Sequence, residues 1–220
     1  MLVGVNELLH AWRETLPATA PAAAVARIGD DLLARWHEPQ RYYHTAEHLQ
    51  GVLWVIEEQA ATARDLDAVR LAAWFHDAVY DPRRVDNEEA SALLAEAVLP
   101  ELDIEPARVA EVARLVRLTA SHDPMPGDRD GGLLTDADLA ILAATAEAYR
   151  TYTVAIRREY AHVPDAAFAA GRSAVLRNLL DLPWLYHTPV LRARWEEPAR
   201  ANIAWELAGL HNNPSPFASI

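Results

Sequence analysis

Apolar residues recur three and four positions apart along almost the whole chain, and no stretch alternates apolar with polar for the length of a strand. This period constrains the fold more than any other feature, because a helix-spaced stripe cannot be buried by a pleated sheet. Val5, Leu8, Leu9, Trp12 and Leu16 form one stripe; Val25, Ile28, Leu32, Leu33 and Trp36 form the next, with Pro17 and Pro21 between them. Thr45 offers an N-cap to a helix reaching about Arg64, and another helix is expected from Leu66-Asp67 through Phe75 to Val79. Asp86 and Glu89 have capping-box spacing at the start of a segment that ends before Pro100. Residues 106–121 are amphipathic, and a loop rich in Pro, Gly and Asp follows to Gly132. Thr135 is then expected to cap a helix beginning Asp136-Ala137-Asp138-Leu139. Further helical segments are read from Ala146 to Ala161, onward from Pro164-Asp165, and from Val190 to Leu210. The expected fold is all-α, a compact bundle of roughly eight to ten helices. It should form a single domain over residues 1–210, with its core at about 40–145 and C-terminal helices at about 146–210, and a loose tail over 211–220.

At 220 residues such a bundle can bury a sizeable core as one domain. No apolar run approaches the ~20 residues of a membrane span, and Met1 opens no signal peptide, so no membrane association and a cytoplasmic location are expected. A net charge of −12 argues against a nucleic-acid partner, since neutralising phosphates dominates that affinity. The absence of cysteine removes disulfides, thiolate zinc sites and thiol nucleophiles. All 20 basic residues are Arg, so any contact to phosphate must use Arg, His, hydroxyls or backbone N–H groups.

The polar residues that the helical pattern does not explain form an ordered series. Arg41-Tyr42-Tyr43-His44-Thr45-Ala46-Glu47-His48 comes first, then Trp74-Phe75-His76-Asp77, then Asp136 and Asp138 behind Gly131-Gly132. An ionised Asp at the buried end of a helix costs several kcal/mol unless a cation or hydrogen bonds offset it. Asp77 therefore either ligates a cation with its neighbour His76 or accepts hydrogen bonds near Tyr80-Asp81-Pro82. His48 and Asp138 fall on separate elements, so one ion could tie those elements together. Asp136 competes with Asp138 for the last position, with an alternative role as a helix first-turn charge. Imidazole with carboxylate and no thiolate suits one divalent ion among Mn, Fe, Mg, Co, Ni and Zn, and four protein ligands leave room for an activated water.

The order His48, His76-Asp77, Asp138 resembles the HD superfamily of metal-dependent phosphohydrolases, whose ligands occur as H…HD…D on a helical core. Residues 40–145 carry this pattern. The flanking words, together with Ile156-Arg-Arg-Glu-Tyr-Ala-His-Val-Pro-Asp165 and Glu197-Pro-Ala-Arg-Ala-Asn202, are similar to an uncharacterised bacterial branch of predicted HD hydrolases. The resemblance implies an HD-like bundle with a helical C-terminal extension. It also implies hydrolysis of a small phosphorylated metabolite such as a nucleotide; a non-hydrolytic ligand-binding or regulatory module is the alternative. Only His122 lies between the dyad and the last Asp, which favours one metal over two and makes His122 a candidate substrate contact.

Around these ligands, Arg41 and His44 are candidates to hold phosphoryl oxygens. Glu88 is a candidate general base, or a partner orienting a ligand histidine, while Glu89 is expected to serve the cap. Arg157 and Arg158 read as a structural pairing network in preference to an anion-binding edge. The seven Trp are expected mainly in the core. The oligomeric state is open, a homodimer included.

Overall fold

A computed structural model describes residues 4–212, and its regular secondary structure over them is all helical. Ten α-helices follow one another: α1 Val5–Glu14, α2 Ala22–Trp36, α3 Ala46–Glu58, α4 Leu66–Phe75, α5 Asn87–Val98, α6 Pro106–Leu118, α7 Arg129–Asp138, α8 Ala146–Glu159, α9 Asp165–Asp181 and α10 Pro189–Asn212. Short 3-10 turns occupy Ala60–Thr62, Leu99–Leu102 and Leu139–Ala143. The expected tail lies outside the described residues apart from its first two positions, which belong to α10.

Helix α4 is the axis of the N-terminal half. Its sequence is apolar on every side, and all residues from Ala68 to Phe75 except Arg70 are buried, as expected of a helix surrounded by other helices. Asp65 caps it by accepting the Ala68 N–H at 3.1 Å. Helices α3, α5, α6 and α7 pack around it. Trp12, Trp36, Trp74 and Phe75 are fully buried in this core, with the Trp12 and Trp74 rings meeting edge to face at 5.4 Å. The indole N–H groups of Trp12 and Trp36 donate to the carbonyls of Val25 and Trp74 at 3.0 and 3.1 Å. A second apolar cluster is formed by the turn after α7 with α8, α9 and α10, around Tyr149, Leu176, Tyr186 and Ile203. Trp195 packs against both clusters and sits at their seam. Trp54, Trp184 and Trp205 depart from the expected core placement and are about half exposed, at 57%, 49% and 45%. Trp184 and Trp205 are covered on one face by the guanidinium groups of Arg192 and Arg150.

Two helix starts differ from the sequence reading. Helix α7 begins seven residues before Asp136, capped by Asp128, which accepts the Gly131 N–H at 3.0 Å. Gly131 and Gly132 are thus not a turn but part of a helix pressed against its neighbours. A Cβ on Gly131 would run into Leu118 and Asp128, and one on Gly132 would come within 3.0 Å of His187. Asp136 and Asp138 lie at the end of this helix, so the first-turn charge considered for Asp136 does not apply. At α5 the capping box does not form. Asp86 instead accepts two hydrogen bonds from Arg84, and Glu89 pairs with Arg117.

Candidate metal centre

Three helix ends converge where α3 begins and α4 and α7 finish. His48 is the third residue of α3, His76 caps the C-terminus of α4, and Asp138 is the last residue of α7. Nε2 of His48 lies 3.2 Å from Nε2 of His76 and 3.2 Å from Oδ1 of Asp138, and Nε2 of His76 lies 3.6 Å from the same oxygen. Adjacent ligands held ~2.0–2.2 Å from one divalent ion are spaced about 3.0–3.5 Å apart, so these atoms fit a shared cation. His48, His76 and Asp138 therefore form a group that can hold a metal ion. Asp77 borders it, with Oδ2 3.4 Å from Nε2 of His76 and 4.0 Å from Nε2 of both His48 and His44.

The local hydrogen bonds turn the ligand atoms inward. Nδ1 of His76 lies 2.8 Å from the Ala73 carbonyl and donates to it, leaving Nε2 for the centre. Nε2 of His122 lies 2.9 Å from Oδ2 of Asp138, the oxygen that the two ligand histidines leave open. His122 itself has φ of 53°, a left-handed conformation in the loop that follows α6. Asp136 points away from the centre. Its carboxylate accepts the N–H groups of His187 and Thr188 at 2.6 and 2.7 Å and fixes the approach to α10. Of the two competing aspartates, Asp138 is the one in the cluster.

Electrostatics favour positive charge here. Burial alone would depress His76, but Asp77 and Asp138 outweigh it and raise its pKa to about 9. Burial would raise Asp138, yet His76, His122 and His48 hold it well below the usual carboxylate range. Burial leads the lowering of His48, with the neighbouring imidazoles of His76 and His44 adding to it against Asp138. The carboxylates thus hold a cationic charge at the point where the ligand atoms meet. That field acts on a metal ion as it does on a proton.

His44 and Asp77 both face a cavity of about 600 Å³ that also reaches His122, Asp138 and Glu88. Burial pulls His44 down, but Asp77 and the hydrogen bond to Glu159 prevail and raise its pKa. Glu159, at the end of α8, was not singled out as a site residue from the sequence. Its side chain is fully buried. Oε1 accepts the backbone N–H groups of Tyr42, Tyr43 and His44 at 2.7, 2.7 and 3.0 Å; Oε2 takes Nδ1 of His44 and the hydroxyl of Tyr80, each at 2.7 Å. Burial opposes its ionisation, yet these donors, His44 foremost, bring its pKa to about 2. One carboxylate therefore shapes the whole loop ahead of His48. The only trace of it in the sequence is a Glu among Arg and Tyr in Ile156-Arg157-Arg158-Glu159-Tyr160, a composition shared by ordinary surface helices.

Arg41 does not have the role expected of it. Its side chain is inaccessible to solvent, stacks on the rings of Trp36 and Tyr80, and donates to Glu38 and to the carbonyls of His44, Asp77 and Ala78. It ties the loop carrying His44 to the turn carrying Asp77, and no side of it is left for a phosphoryl group. Glu88 lines the cavity but does not orient His76, whose Nδ1 is taken by the Ala73 carbonyl. Arg157 holds Asp165 and the carbonyls of Tyr160 and Val163, and Arg158 lies over the Tyr42 ring. Both belong to the structural network. No helix among the described residues is long and apolar enough to cross a membrane. No family model, curated protein or solved structure matches the chain.

Proposed function

We propose that this protein is a metal-dependent phosphohydrolase in which one divalent ion, held by His48, His76 and Asp138 with Asp77 as fourth ligand, acts on a small phosphorylated metabolite. The observation that carries this reading is the meeting of two imidazole nitrogens and a carboxylate oxygen from three helices, within 3.2 to 3.6 Å of one another, beside an open cavity. The resemblance of the His48, His76-Asp77, Asp138 order to the HD superfamily supports the same chemistry. A bound divalent ion supplies an electrophile for a phosphoryl oxygen and a water acidic enough to attack near neutral pH.

The chain's own groups do the rest. The Ala73 carbonyl keeps Nε2 of His76 directed inward, and His122 holds Asp138 in its orientation. His44 is fixed through Nδ1 by Glu159, so Nε2 is the nitrogen presented toward Asp77. Asp77 and Glu159 raise the pKa of His44, which favours the protonated form of the ring that giving a proton to the departing oxygen requires.

The test is metal analysis of the purified protein, followed by phosphate release from a panel of phosphomonoesters with Mn²⁺, for the wild type and Asp138→Ala. The variant should fold, lose its metal, and lose turnover by more than the ~10–100-fold typical of changes outside the ligand set. Unchanged metal content and turnover in Asp138→Ala would remove this cluster from the chemistry.

A further inference from the structure

The cavity beside the centre has two unlike ends. Near the cluster its wall is Asp77, Asp138, His44 and His122; away from it the wall is Leu142, Ile156, Phe168, Val175 and Leu179, from α8, α9 and the turn after α7. The remote end is part of the second apolar cluster and not an accidental gap, since Leu142, Ile156 and Phe168 are core residues of that cluster.

Charge on the wall is equally uneven. Its two arginines are already paired: Arg84 with both oxygens of Asp86, and Arg172 with Glu206 at 2.8 and 3.1 Å. His44 and His122 are held by Glu159 and Asp138. Against these stand the carboxylates of Asp77, Glu88 and Asp138. A second or third phosphate would meet no unshared cation, and a triphosphate would face net negative charge. Most of the polar side chains that could read a sugar or base also have partners within the protein, the Tyr43 ring at the cluster end lying instead against His44 and His48. Asn87 is closed on Asp81, Thr119 donates to the Val116 carbonyl, the Tyr80 hydroxyl donates to Glu159, and the Tyr152 hydroxyl accepts from Arg172.

From this placement we infer that the substrate is the phosphate monoester of an apolar alcohol, with the phosphate at the metal centre and the hydrocarbon along α8 and α9. The inference rests on the phosphohydrolase reading for the phosphate end and on the cavity wall for the other end. The reaction then breaks the P–O bond of the ester: water supplies the hydroxyl that completes inorganic phosphate, and the alcohol leaves with a proton. The cavity of about 600 Å³ is large enough for a chain or ring of small-ligand size.

Gly171 offers a way to close the apolar end without touching the centre. It lies within α9 on the cavity wall, and a Cβ placed there meets nothing within 4 Å. The experiment measures calorimetric binding of ethyl-, butyl- and hexylphosphonate, which cannot be hydrolysed, to the Mn²⁺-loaded protein. Turnover of the matching alkyl phosphates, AMP and ATP is measured alongside. Affinity should rise at least about tenfold from ethyl to hexyl, since each buried methylene contributes up to ~4-fold. Gly171→Leu should cancel that gain while leaving ethylphosphonate binding as it was and without lowering the melting temperature, and Val175→Glu should weaken hexylphosphonate alone. Equal affinity across the series, indifference of hexylphosphonate to Gly171→Leu, or tighter binding of ATP than of hexylphosphonate would overturn the inference. Absence of phosphate release from every ester would instead overturn the hydrolase reading, and the phosphonate affinities would still decide whether the cavity takes an apolar tail.

Discussion

The two apolar clusters of this molecule reach close packing by different means. In the cluster around α4, large rings and aliphatic side chains fill the space, and its polar atoms are indole N–H groups, those of Trp12 and Trp36 given to carbonyls and that of Trp74 left without a partner. In the cluster around α8, α9 and α10 the interior contains ions. Glu206 is buried and accepts from Arg172 and from the Tyr149 hydroxyl at 2.6 Å, while Arg172 also donates to Tyr152. The Tyr186 hydroxyl and the Asn202 amide donate to carbonyls of the turn after α7. Every candidate ligand comes from the first region, and most of the apolar cavity wall from the second. A rigid hydrocarbon interior holds atoms that must converge to a few tenths of an ångström. A polar interior with directional bonds sets the register of helices whose spacing leaves a cavity.

The difference can be broken most sharply at Glu206. Replacing it by Ala leaves the Arg172 guanidinium uncompensated and should cost about 3–5 kcal/mol in denaturant unfolding, whereas the double change Arg172→Met with Glu206→Leu should recover most of that loss. A double variant no more stable than Glu206→Ala would show that the network contributes more than mutual compensation of charge.

Glu159 bridges the two regions and gives the next largest effect. Its pKa falls from an ordinary 4.5 to about 2 on folding, so its ionised form is the one folding favours. The corresponding stability, about 3 kcal/mol by linkage, is fully present above pH 4.5 and is lost as pH falls toward 2. Glu159→Gln should therefore be less stable than the wild type by roughly that amount at pH 7. The gap should be unchanged at pH 5 and closing at pH 3 in urea titrations; a gap independent of pH would remove the ionised carboxylate as its cause.

Glycines sharpen the comparison further. Gly29 lies against the buried Trp12 ring, with an added Cβ 2.7 Å from Cδ1, so Gly29→Ala should destabilise the first region by about 1–3 kcal/mol. Gly171→Ala enters open space within a helix and should stabilise by about 0.5–1 kcal/mol. Thermal unfolding of the two variants should shift in opposite directions.

The His48, His76 and Asp138 cluster was legible in the sequence because His76 and Asp138 interrupt apolar helix ends where no packing argument places them. Helix type was legible from periodicity, which survives small errors in the boundaries. What escaped depends on partners distant in sequence. Arg41 beside two tyrosines looks like a solvent-facing anion site until Trp36 and Tyr80 enclose it. Gly131-Gly132 reads as a turn because local propensity cannot register that Leu118 and His187 require small residues there. Glu89 fits a capping box by spacing, but the Arg117 guanidinium is close enough to take it. Glu159 acts on residues more than a hundred positions earlier, and no short window contains both ends of that contact.

That separation has a consequence for how the molecule comes into being. On the ribosome the four candidate ligands all emerge before residue 159, so a nascent chain can gather His48, His76, Asp77 and Asp138 while the loop ahead of His48 still lacks its anchor. The loop's anchor, Glu159 on α8, is therefore the last part of this neighbourhood to be made, after every residue it holds in place.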